Sequence, residues 1–263
     1  MRRRGWIGLV LIAPFALAVL GPFLYMVLRS LADASGIPRW SDANYQAAID
    51  ALPFSHLLVN SLVLAGGAAV AQVLTSATAA YAFARLRFPG RDRVFLVFLA
   101  VLIMPAVALV VPRFLMIEAV GWVDRYAGLL ATELVSVWGI FFLRQYFLTL
   151  PRDLEESARL DGAGEWTIFW RVMLPLAKPG LITLGLLAFV NQWKSFLWPL
   201  VATRSPDMRV LEVGLARFHG LYWSNEPVQM AAAVMTTLPL LIVFAVAQRY
   251  VIRGSRPLGG SRS

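Results

Sequence analysis

No cysteine occurs among the 263 residues, which removes disulfides, thiolate nucleophiles and zinc–thiolate sites at once. Histidine is nearly as scarce, and His56 and His219 stand too far apart in the chain to suggest a histidine-based metal centre. The two lysines, Lys178 and Lys194, follow Ala177 and Trp193, so the Gly-Lys-Ser/Thr core of a phosphate-cradling loop is missing. Charge is sparse at 15% of residues, against 59% hydrophobic residues and a mean hydropathy of +0.68. That balance is too apolar for an ordinary soluble domain and puts the chain in a membrane.

The apolar runs predict six spans in one transmembrane domain over 1–263, at about 6–28, 58–83, 94–117, 127–147, 180–202 and 228–249. An even number leaves both termini on one side. That side carries 16 Lys and Arg residues and the opposite side 7, counting Arg113 among the latter, so the termini and the segment around 151–175 are expected in the cytoplasm. The net charge of +9 is therefore mostly a topological signal and gives little reason to invoke nucleic acid. Met1-Arg2-Arg3-Arg4 with Ala32-Asp33-Ala34 imitates a cleavable secretory signal. Gly5 to Leu28 exceeds the roughly 7–15 residues of a signal core, so a retained signal-anchor helix is expected. Residues 29–54, with Gly36, Pro38, Trp40 and Pro53, read as a short ordered cap, 85–93 as a basic turn at Pro89-Gly90, and the tail from Arg253 as disordered.

Between two spans lies a polar insert, Pro151 to Pro175, reading PRDLEESARLDGAGEWTIFWRVMLP. Asp153 is placed to cap a short helix, with Glu156 three residues later as in a capping box. Asp161-Gly162 stops that helix, because glycine tolerates the left-handed conformation that ends helices. A second helix begins near Glu165, with Trp166, Phe169, Trp170 and Met173 on one apolar face until Leu174-Pro175 ends it. Two roles are open on physical grounds, docking to a partner or lying on lipid as an interfacial helix. The adjacent Glu155 and Glu156 do not read as a catalytic dyad, since the helix is a surface one with arginines nearby.

The spacing Glu156-Ser157-Ala158, then Asp161-Gly162-Ala163, then Val172-Met173-Leu174-Pro175 resembles the EAA loop of ABC importer permeases. That pattern runs E-A-A, three residues, G, nine residues, I-x-L-P; here Ser157 replaces the central Ala and Val172 the Ile. The resemblance implies an all-α membrane protein of the type I ABC importer permease fold, with six transmembrane helices. It implies that the loop is the coupling helix, seated in a groove of an ATPase subunit and transmitting nucleotide-driven closure to the membrane helices. Partners implied are a homologous second permease, two ATPase subunits and an extracytoplasmic solute-binding protein. The chain itself would be no enzyme and bind no cofactor, ATP and magnesium lying on the ATPase, in a bacterial or archaeal plasma membrane.

A second stretch, Asn191-Gln192-Trp193-Lys194-Ser195-Phe196-Leu197-Trp198-Pro199-Leu200, followed by Met208-Arg209-Val210-Leu211 and Val213-Gly214-Leu215, resembles the carbohydrate-uptake branch, related to the smaller maltose-transporter permease. Lys194 stands where that branch has Asn. The resemblance implies import of a carbohydrate or a related polyol or glycerol phosphate. A permease for an amino acid, peptide or phosphonate would keep the EAA loop without Trp193–Leu200, and a proton-coupled carrier would want inverted repeats and buried carboxylates, for which Glu133 stands alone.

An ammonium inside a span is costly, so Lys194 is expected to pair with Glu133, placed at similar depth on the neighbouring span, to line the solute path, or to snorkel outward. Asn191, Gln192 and Ser195 are candidate hydrogen-bonding groups for that path or for another helix, and Trp193 and Trp198 candidate sugar-stacking rings or packing anchors. Gly66-Gly67 reads as a close helix contact.

Overall fold

The computed structural model describes residues 2–33, 41–221 and 225–254, without the side chains of 2–12, 217–221 and 249–254. The tail beyond 254 and residues 34–40 of the expected cap lie outside the described residues. Two compact units divide the chain, 1–55 with 213–239, and 56–212 with 240–263.

The helices run in order α1 (Arg2–Ser30), α2 (Ala43–Ala51), α3 (Phe54–Arg85), α4 (Arg91–Val101), α5 (Val110–Ala119), α6 (Tyr126–Ala131) and α7 (Val137–Thr149). There follow α8 (Asp153–Leu160), α9 (Glu165–Ile168), α10 (Leu174–Leu176), α11 (Lys178–Trp193), α12 (Leu197–Ala202), α13 (Leu211–Leu221) and α14 (Glu226–Gly254). In the first unit Ala48 of α2 packs on Val228 and Ala232. Asn44 Nδ2 donates to the carbonyls of Ser30 and Ala32 at 2.9 and 2.7 Å, and Arg29 pairs with Glu226 at 2.5 Å. Ordered structure is thus present over the described part of the expected cap.

In the second unit α3 is the organising helix. Leu57, Ser61, Leu64, Ala68, Gln72, Ser76, Ala80 and Ala84 are buried at helical spacing, so one face of small and polar residues is turned inward while Val59, Val63, Val70 and Leu74 stay exposed. Small residues let neighbouring backbones come close. A Cβ on Gly139 of α7 would sit 2.6 Å from Ser76 Oγ, and one on Gly180 of α11 would sit 2.9 Å from the Tyr146 ring. The expected Gly66-Gly67 contact is carried by Gly67 alone, against Leu130 at 3.2 Å; a Cβ on Gly66 would meet nothing within 4 Å.

Among the described residues three helices are long and apolar enough to cross a membrane, at 13–30, 54–85 and 226–248, and bent pairs raise the number to as many as five. Continuous helices over 94–117, 127–147 and 180–202 were the expectation, and each of these segments is broken. The third bends by 94° between α4 and the segment 106–119, where Pro105 takes an extended ψ of 129° and holds the residues before it out of the helix. The fourth opens over 132–136, and Ser136 restarts the helix by accepting the Gly139 N–H at 3.0 Å. The fifth stops at Trp193 and resumes at Leu197, with Pro199 in the first turn of α12, where a missing N–H costs least.

Carbonyls freed by such a break must find donors in an apolar setting. Polar residues of α3 provide them: Gln72 Nε2 donates to Glu133 O at 2.8 Å, and Thr75 Oγ1 to Leu134 O at 2.9 Å. The Trp198 indole N–H donates to Leu129 O at 3.1 Å.

Candidate functional site

Two places concentrate the chemistry, the 151–175 loop and a cleft between the broken segments. The loop begins with α8, whose N-cap is Arg152; Asp153 is already helical and no side chain caps the end, so the expected capping box does not form. Asp153, Glu155 and Glu156 instead lie in the first turn, where the helix dipole favours negative charge. The helix ends as expected. Gly162 adopts φ +79°, its N–H donates to Arg159 O and the Ala163 N–H to Ala158 O, both at 3.0 Å, the paired bonds of a Schellman turn.

The second helical stretch differs from a plain amphipathic helix. After α9 the backbone widens to a π-turn over Phe169–Met173, immediately before Pro175, whose missing N–H interrupts the α ladder. Ile168 and Met173, five residues apart, therefore share the inner side with Phe169, all buried against Tyr81, Leu143 and Phe147. Trp166 and Trp170 turn outward, 67% and 45% exposed, so the expected four-residue face divides in two. Helix continues through Pro175 to Leu176 before a 76° bend into α11.

A charged network ties this loop to α3. Arg85 and Glu155 meet at 3.0 Å with side chains only 2% and 3% exposed, off the axis of a hydrogen bond. Arg85 also donates to the carbonyls of Phe147, at 2.5 Å, and Leu150, at 2.7 Å, the orphan end of α7. Arg159 lies 3.5 Å from Glu155 and donates to Glu165 at 2.7 Å, and Glu165 accepts the Tyr81 hydroxyl at 2.9 Å. Burial pushes the Glu155 carboxyl above its ordinary pKa, with Arg85 and Arg159 pulling it partway back. The hydrogen bond from Arg159 holds Glu165 below its ordinary value, outweighing desolvation, with help from Tyr81. Glu155, which the sequence marks as a surface acid, is buried; its neighbour Glu156 is the exposed one, together with Ser157 and Asp161. Ala158, Ala163, Val172 and Leu174 pack partly buried against the core beneath, and Pro175 is exposed. The outer side of the loop thus presents Leu154, Glu156, Leu160, Trp166 and Trp170, with Leu160 89% exposed.

The cleft, about 320 Å³, is lined by Val107 beside the first break, Glu133 in the second, Lys194, Ser195 and Phe196 in the third, and Arg113, Asn191, Gln192 and Trp198. Glu133 does not pair with Lys194. Its carboxylate ion-pairs with Arg113 and accepts Gln192 Nε2 at 2.5 Å, while the Arg113 guanidinium stacks 4.3 Å above the Trp198 ring and donates to Thr132 Oγ1 at 2.5 Å. Arg113, counted above with the loops, sits within α5; its place inside the predicted 94–117 span was the signal for this pair. Trp193 is 3% exposed and stacked on Phe189, with ring centres 5.6 Å apart, so it packs and does not reach the cleft. Trp198 is 4% exposed, its ring face taken by Arg113, which leaves no face for a sugar. Asn191, Lys194 and Ser195 remain accessible, and Asn191 borders a second cleft of about 250 Å³ with Gln72, Ser136 and Trp138. Among the described residues no group of three or more His, Cys, Asp and Glu is placed to hold a metal.

The model of binding-protein-dependent transport system inner membrane components matches residues 72–257. An arabinooligosaccharides transport system permease protein of Halalkalibacterium halodurans is 40% identical over 185 residues, 70% of this chain and 66% of that protein. A diacetylchitobiose uptake system permease protein of Streptomyces coelicolor is 31% identical over 262 residues, 95% of this chain and 87% of that one. Among solved structures, a chain from a bacterial ABC transporter involved in the import of the acidic polysaccharide alginate superposes with a TM-score of 0.81 at 28% identity, covering 95% of this chain and 96% of that one. The all-helical architecture, the loop pattern and these likenesses agree: this chain belongs to the binding-protein-dependent transport system inner membrane components, as a transport subunit and not an enzyme.

Proposed function

We propose that this chain is a carbohydrate-importer permease that forms the solute path with a second, homologous permease and is driven by a separate ATPase dimer that binds the ATP and magnesium. A solute-binding protein delivers the sugar, polyol or polyol phosphate from outside. The excess of Lys and Arg on one side supports cytoplasmic termini and a cytoplasmic 151–175 loop. The observation that carries the reading is the division of that loop: Ile168, Phe169 and Met173 are fixed in the core, while Leu160, Trp166 and Trp170 are held outward with Glu156 on a rigid turn. Exposed aromatic side chains on a rigid base fit a groove in a partner, and a pull on them is transmitted to α3 and α7 through the buried face. An interfacial role on lipid is the second reading, favoured by the two tryptophans alone.

The test is co-purification of this chain with its ATPase and second permease, comparing wild type with Glu156→Arg and Gly162→Pro, followed by solute-stimulated ATP hydrolysis. Loss of the ATPase with the permease pair intact is expected. Unchanged association and hydrolysis would demote the loop to a lipid-lying helix.

A further inference from the structure

Irregular backbone in a membrane-embedded chain persists only where protein buries it or where it lines a cavity. Here Glu133 of the break at 132–136, Lys194 to Phe196 of the break at 194–196, and Ala106 and Val107 just after the break at 102–105 line one cleft with Arg113. Its charges are unequal, two cations against one carboxylate. Arg113 is spoken for by Glu133, Thr132 and the Trp198 ring. Lys194 is exposed at the C-cap of α11, where the carbonyl end of a helix favours a cation, and no carboxylate among the described residues lies within ion-pair distance of it. Glu212 feels its charge from farther off; burial pushes that carboxyl up and Lys194 draws it partly back.

We propose that this cleft receives an anionic group of the transported solute, a sugar carboxylate or phosphate, with Lys194 as the residue that engages it and Asn191 and Ser195 hydrogen-bonding beside it. A neutral sugar would leave the ammonium without a counter-charge in the cleft, whereas an anion completes the charge balance with a charge-assisted hydrogen bond. The proposal rests on the importer reading above and deepens it from carbohydrate to acidic carbohydrate or sugar phosphate.

The experiment uses the complete transporter in liposomes, with its own binding protein, second permease and ATPase. ATP-driven uptake is measured for a short oligouronate, for sn-glycerol 3-phosphate and for a neutral arabinooligosaccharide, in wild type, Lys194→Gln and Lys194→Arg. Expected is uptake of an anionic probe, lowered roughly 10- to 100-fold by Lys194→Gln, the worth of a hydrogen bond to a charged group, and largely kept by Lys194→Arg. Assembly of the complex, read by co-purification of its subunits, should be the same in all three. Uptake confined to the neutral probe would overturn the anionic assignment and leave the importer standing. Anionic uptake indifferent to Lys194→Gln would remove Lys194 from the site. Absence of ATP-driven uptake of every probe by an assembled complex would sink the importer reading and this inference with it.

Discussion

The Arg85–Glu155 pair is one of the links between the loop and α3, beside the Tyr81–Glu165 hydrogen bond and the packed apolar face, and its burial makes its energetics testable. Each side chain is almost wholly removed from solvent, so deleting one charge strands the other. Breaking a buried pair from one side costs about 3–5 kcal/mol. Here the lower end applies, because in Glu155→Gln the guanidinium keeps the Phe147 and Leu150 carbonyls, and in Arg85→Met the carboxylate keeps Arg159 at 3.5 Å. Glu155→Gln is therefore expected to lose about 3 kcal/mol, seen as a fall of roughly 6–12 °C in the thermal midpoint of the purified chain, and Arg85→Met somewhat more, because it also removes the donor to the α7 carbonyls. The double variant Arg85→Met/Glu155→Leu strands no charge. It takes the Arg85 donor from both α7 carbonyls, of which Phe147 O keeps the Leu150 N–H at 3.1 Å; the loss at Leu150 O is about 1–3 kcal/mol, and so the double variant is expected to be no less stable than either single variant. In the assembled transporter the double variant should still bind the ATPase through its unaltered outer face, while hydrolysis and uptake come apart, ATP being consumed with little solute moved. Thermal midpoints that simply add across the cycle, or full coupling in the double variant, would refute the link.

Acid should loosen the loop in a defined window. Glu165 has a lowered pKa, so the stability it contributes is fully present above the ordinary glutamate range and is lost as pH falls through its depressed value; hydrogen exchange in 153–168, corrected for intrinsic rate, should rise there in wild type and change little in Glu165→Gln. Gly139→Ala should destabilise by about 1–3 kcal/mol, since its Cβ would fall 2.6 Å from Ser76 Oγ, and Ser76→Ala in the same chain should recover part of the loss in a denaturant titration. Trp198→Phe keeps a ring under Arg113 but leaves Leu129 O without its donor, an expected loss of about 1–3 kcal/mol; an unchanged midpoint would show that another donor takes over.

What could be read from residues alone follows from the range of the forces involved. The loop's turn was legible because Asp161-Gly162 is a local conformational instruction, and φ +79° at Gly162 carries it out. Hydropathy located the apolar segments but not their breaks, since averaging over a window blurs Pro105 and Pro199, whose effect is confined to a few backbone bonds. The partners of Glu133 and Glu155 were illegible for a different reason. Glu155 and Glu156 are adjacent and chemically identical, and only the direction of α8 against α3 decides which meets Arg85 and which meets solvent. Likewise a straight fifth span would carry Lys194 on alongside the Glu133 segment, whereas the stop at Trp193 leaves Gln192 to reach Glu133 and turns Lys194 to the open side of the cleft. The polar stripe Gln72, Thr75 and Ser76 held the missing information. In an apolar helix three such residues on successive positions of one face must serve something, and what they serve is the broken backbone of the neighbouring segment. A polar stripe on one span is thus a sequence-level sign of a discontinuity in another, and in this chain it leads from α3 to the break at 132–136 and so to the charged cleft.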